Sequence, residues 1–112
     1  MVPVPTEPVS QVVFVHDYFQ VVFHDDCFSF YGPVEVSSDD REVTQGRPGF
    51  CDALVALIGE RATSAIVGDD GELTIAFSSG AGLRARPGPP DVGPEAWLFN
   101  GPSGQIVGSS CC

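Results

Sequence analysis

The chain has 112 residues, enough for one domain with one modest core. Its formal net charge is −10 and all five of its basic residues are Arg, a balance that repels phosphate backbones and argues against direct nucleic-acid binding. A hydrophobic fraction of 43% rules out wholesale disorder, while 13 Gly and 10 Pro favour many turns and short strands over long helices. No apolar run approaches the ~18 residues needed to cross a bilayer. Met1-Val2-Pro3-Val4-Pro5-Thr6-Glu7 lacks the basic and apolar segments of a signal peptide, so a cytoplasmic location is expected. Cys27 and Cys51 fall in predicted structured segments, and Cys111 and Cys112 are adjacent, which is no disulfide framework; reduced thiols are expected.

Residues 1–8 hold three prolines and read as a loose lead-in to a single domain spanning 1–112. The β-branched and aromatic run from Gln11 to Asp26 suits two strands with a break near Asp17-Tyr18. Phe19, Val21 and Phe23 alternate with Tyr18, Gln20, Val22 and His24, so the Phe19 set is expected inside. His24-Asp25-Asp26 makes a turn, Phe28 and Phe30 extend the inward set on a third strand, and Val34-Glu35-Val36 forms a short fourth. Ser37 to Gln45 is polar and acidic and reads as loop or edge.

A helix is predicted near 48–59. Phe50, Ala53, Leu54, Leu57 and Ile58 fall at i, i+3, i+4, i+7 and i+8, with Pro48 near the start, Asp52 in the first turn and Gly59 past the end. At about three turns it covers one sheet face and does not stand alone.

Thr63 to Arg86 reads as three strands joined by two glycine-rich turns, Gly68 to Gly71 and Ser78 to Gly82. Leu73, Ile75 and Phe77 point inward; Leu83 and Ala85 face one way, and Arg84 and Arg86 face solvent. This stretch parallels the earlier one, with Phe19-x-Val21-x-Phe23 and Phe28 matching Leu73-x-Ile75-x-Phe77 and Leu83. Two similar β units sharing a core are one outcome; two unrelated amphipathic meanders are the other. Pro87 to Pro94 is a surface loop, since proline donates no backbone hydrogen bond. Glu95 to Asn100 and Gln105 to Val107 then form a closing hairpin, and residues 109–112 a tail. The predicted class is α+β and mostly β: twisted antiparallel sheets, as sandwich or roll, with one covering helix.

Candidate chemistry is thin. His16-Asp17 and His24-Asp25-Asp26-Cys27 gather metal-ligand types, yet without the spacing of a finger or a metalloprotease, and Asp25-Asp26 sits where a turn already favours Asp. Cys27 and His24 are three apart, on opposite faces of a strand, which does not make a nucleophile and base pair. Gly80-x-Gly82 lacks the strand-to-helix setting of a phosphate loop. Cys111-Cys112 resembles the prenylated ending of some small GTPases, but nothing else in the chain does. A lone strand Trp such as Trp97 most often packs, though it can also serve as a platform. No catalytic residue, metal or cofactor is expected.

Glu95-Ala96-Trp97 followed by Gly101-Pro102-Ser103-Gly104 resembles the ending of a family of small bacterial proteins known only as a domain of unknown function. Val12 to Phe23, the helix end Leu54 to Gly59, the Asp69-Asp70-Gly71 turn, Leu73-x-Ile75-x-Phe77 and Leu83 follow in that family's order, over nearly the whole chain. Ser109-Ser110-Cys111-Cys112 departs from its usual ending of proline and glycines. Small acidic domains of this kind are similar to the immunity partners encoded beside bacterial toxins. The resemblance implies a non-catalytic protein that neutralises a basic toxin domain by touch, with Asp39, Asp40, Asp69, Asp70 and Glu72 as contact acids and Tyr18 and Trp97 as aromatic anchors. Neither nucleic acid nor membrane is an expected partner. The alternatives are a small-molecule sensor with a pocket between helix and sheet, and a metal-dependent enzyme built on the His24 cluster.

Overall fold

In the computed structural model the described residues are 4–15, 18–31, 33–38, 41–68, 71–85, 97–101 and 104–108, the last group for its backbone alone. Among them lie β1 (Gln11–Phe14), β2 (Phe19–Phe23), β3 (Asp26–Phe30), β4 (Val34–Ser38), β5 (Arg41–Thr44), α1 (Phe50–Val55), β6 (Ala62–Val67), β7 (Leu73–Phe77), β8 (Gly82–Ala85), β9 (Trp97–Gly101) and β10 (Gly104–Gly108). Two five-stranded antiparallel sheets result, ordered β1-β2-β3-β9-β10 and β5-β4-β8-β7-β6. The mostly β, two-sheet class with one short helix is the one expected.

Period-two alternation drives both sheets. Phe19, Val21, Phe23, Phe28 and Phe30 are 0–3% exposed, as are Leu73, Ile75, Phe77 and Leu83, and all join one buried cluster. Each such side chain contributes about 1.5–3 kcal/mol on burial. Phe23 and Phe77 stack across the sheets with ring centroids 6.3 Å apart and planes 6° from parallel.

The two halves of the chain repeat one pattern with their hairpins exchanged. Each of β1-β2-β3 and β6-β7-β8 is a three-stranded meander, and each of β4-β5 and β9-β10 is a hairpin. The first half's hairpin pairs with the second half's meander through β4 and β8, and the second half's hairpin pairs with the first meander through β9 and β3. Registers correspond: Phe28 lies opposite Val21 and Phe99, and Leu83 opposite Ile75 and Val36. Two similar units thus share the core, each completing the other's sheet.

Three expectations are corrected. The predicted helix over 48–59 is α-helical only over Phe50–Val55. Beyond it Leu57 N–H donates to the Leu54 carbonyl and Ile58 N–H to the Val55 carbonyl, i to i−3 bonds that tighten the spiral. Leu57 stays buried at 2% exposure while Ile58 turns outward to 46%. Gly59, at φ 92, then swings the chain away and donates its N–H to the Val9 carbonyl.

The lead-in predicted as loose is docked from Pro5 onward. Pro5 is buried, Arg61 Nη1 donates to the Thr6 carbonyl at 2.7 Å, and Val9, 2% exposed, gives its N–H to the Glu60 carbonyl. Backbone groups of the start of the chain find their partners at the start of the second half. Third, the turn placed at His24-Asp25-Asp26 holds only two residues, because Asp26 already pairs with Phe23. Its first residue, His24, has φ 61, the positive value that a type II′ hairpin turn requires there.

Candidate functional site

The two sheets present different outer faces, and the difference is set by which residues alternate with the core set. On the second sheet the outward positions of β4, β5 and β8 supply Glu35, Glu42 and Arg84. Register places Glu35 opposite both Arg84 and Thr44, with Thr74 on the far side of Arg84. Arg84 grips a single carboxylate oxygen of Glu35 through Nη2 at 2.7 Å and Nε at 3.2 Å, and Glu42 Oε2 stands 4.0 Å away. The Glu35 hydrogen bond lifts the Arg84 guanidinium above its ordinary value; partial burial opposes this, and the fields of Glu35, Glu72 and Glu42 add to it. Glu35, Glu42 and Arg84 line a hollow of about 150 Å³, two carboxylates to one guanidinium. Gly82 forms part of that hollow, where an added Cβ would meet Ser37 Oγ at 3.0 Å.

The first sheet's outer face is uncharged at its described outward positions. Gln20, Ser29 and Leu98 form one cross-strand row and Val22, Cys27 and Asn100 the next. Gln20 Nε2 donates to Ser29 Oγ at 3.0 Å, and Tyr18 packs on Tyr31 with ring centroids 5.0 Å apart. Burial pushes the Cys27 thiol up, only partly offset by a hydrogen bond to Ser29.

Among the described residues, Glu72, Tyr18 and Trp97 do not come together in one site. Asp39, Asp40, Asp69 and Asp70 lie outside the described residues. Glu72 is half-buried, and its field reaches Arg84. Tyr18 sits on the opposite sheet. Trp97 is corrected outright as an anchor: it is 1% exposed, and its Nε1 donates to the Gly71 carbonyl at 3.0 Å.

Glu35, Glu42 and Tyr31 are contributors that the sequence reading passed over. Glu35 was legible as the outward residue between Val34 and Val36, but its pairing with Arg84 joins residues 49 apart. His24 and Asp25 are both about 70% exposed with Nε2 and Oδ1 3.8 Å apart, and His16 and Asp17 lie outside the described residues. Among the described residues no three His, Cys, Asp or Glu side chains are arranged to hold a metal ion, and no helix is long and apolar enough to cross a membrane.

Two exchanged β units with one helical cover define the class of protein by its fold. Residues 7–111 match the model of a family of unknown function, DUF6188, and the chain belongs to that family. Neither a curated protein nor a solved structure matches it.

Proposed function

We propose that this chain is a non-catalytic binding protein of the immunity or antitoxin kind, which neutralises a basic toxin domain through the outer face of its second sheet. One observation carries the reading: on that face Glu35 holds the Arg84 guanidinium at 2.7 Å, Glu42 stands 4.0 Å from it and the field of Glu72 reaches it, in a chain of net charge −10. Such a face draws a cationic partner by long-range attraction and discriminates against anionic ones. If the toxin is a nuclease, the carboxylates occupy the positions that substrate phosphates would take. Arg84, held by Glu35, keeps the acids from splaying apart and leaves the exposed Glu42 facing outward.

The test is co-expression with a basic toxin encoded beside this gene. Growth is restored, and the purified pair associates at low salt with an on-rate that falls as salt rises. A double Glu42→Gln, Glu72→Gln variant associates about tenfold or more slowly while retaining its fold. No rescue together with no complex at low salt defeats the proposal.

A further inference from the structure

We propose that the outer face of the first sheet is the surface on which this chain pairs with a second copy of itself, face to face about a twofold axis. No described outward position of β1, β2, β3 or β9 carries a charge. Val22 and Leu98 present half-buried apolar side chains there, and Tyr31, 45% exposed, packs on Tyr18 at one end. Among the described residues of this sheet, charge begins at the β2–β3 turn, with the exposed Asp25 on the rim. The fold does not impose this neutrality. By register the row of Gln20, Ser29 and Leu98 corresponds to Thr74, Arg84 and Glu35 of the second sheet, and that row holds an ion pair.

A second copy is the occupant because the face complements itself. Gln20, Asn100, Tyr18 and Tyr31 each carry both a donor and an acceptor, so a twofold axis that sets like residues against like can pair each with its copy. The outer face of the second sheet cannot do this, since its carboxylates would meet carboxylates. A basic domain gains nothing from a neutral face and is drawn to the acids instead. Two chains of net −10 repel at a distance, and this face lets them touch with the Glu35 and Glu42 side turned away. Size sets the strength. Five strands at ~4.8 Å and about five residues at ~3.4 Å give a flat footprint of roughly 400 Å² per copy, at least about 800 Å² for the pair, the range of weak and reversible contacts.

The experiment sediments the full chain alone, under reducing conditions so that thiol cross-links play no part, from about 10 µM to 1 mM protein and at about 50 and 500 mM salt. The monomer–dimer midpoint falls within that range and moves about threefold or more toward lower concentration at the higher salt, because screening relieves the mutual repulsion. A complex with a basic toxin responds to salt in the opposite direction, so the two proposals fail separately. Gln20→Glu sets like charges against each other and weakens the dimer about tenfold or more. Tyr31→Ser weakens it about fivefold by removing an aromatic contact, and both variants keep the circular dichroism spectrum. Ile66→Ser, at an exposed apolar position on the second sheet, changes nothing. The proposal is overturned by a monomer up to about 1 mM at both salts, by a dimer that loosens as salt rises, by loss of the dimer through Ile66→Ser, or by self-association that survives both face variants, whether or not they abolish binding of a protein partner.

Discussion

Trp97 shows how much a single side chain joins. Its ring fills the core from β9, and its Nε1–H reaches the Gly71 carbonyl at the β6–β7 connection, fastening one sheet to the turn of the other. Trp97→Phe keeps most of the apolar area but removes that hydrogen bond and opens a void; a loss of about 2–3 kcal/mol is expected by urea denaturation. A change near zero would show that the indole is not packed there. Asp26 carries a pH signature. Burial first, and the neighbouring Asp25 second, raise its carboxyl above the ordinary 3.8. The native state then binds more protons than the unfolded chain across the window from 3.8 up to the raised value. Stability therefore falls as pH rises through that window, and the penalty is present in full above it. Asp26→Asn should raise the melting temperature at pH 7, with the gain disappearing as pH drops below 3.8, as followed by melting curves across pH. A gain that persists unchanged in acid contradicts this account.

At the scale of elements, α1 illustrates a period read correctly and an extent read too long. Six helical residues hold no stability of their own, so burial of Phe50, Leu54 and Leu57 must supply it. Leu54→Ala is expected to cost about 2–5 kcal/mol, whereas Ile58→Ser should change stability by less than about 0.5 kcal/mol. Equal costs at the two positions, measured in parallel chemical denaturations, would mean the regular helix continues through Ile58. The spacing that suggested Ile58 as core was real in sequence. It was undone by the tighter bonds from Leu57 and Ile58, and by Gly59, whose N–H goes to Val9, a residue 50 positions earlier. Docking of Pro5 to Val9 was missed for the same reason: a proline-rich lead-in shows nothing of a partner supplied by Glu60 and Arg61.

For the whole molecule, the exchange of hairpins makes each half depend on the other. Neither β1–β5 nor β6–β10 can close its own sheet, because β4 pairs with β8 and β3 with β9. Separate fragments 1–47 and 48–112 should therefore each remain unfolded, and associate one to one with recovery of the native circular dichroism spectrum when mixed or co-expressed. A first fragment that folds alone to a native-like sheet would contradict the exchange.

What the amino-acid order determined by itself was local and periodic. The inward sets of β2, β3, β7 and β8 follow from alternation, the positions of most turns from Gly, Pro and Asp, and the likeness of the two meanders from their matching apolar spacing. Tertiary structure alone decided which hairpin completes which sheet, that Trp97 is sealed inside, and that Glu35, Glu42 and Arg84 meet on one face while Tyr18 packs on Tyr31 beside the other. The physical reason is that alternation records which side of a strand is apolar but not which strand lies beside it. Charge clusters and grooves are properties of neighbours brought together from distant parts of the chain.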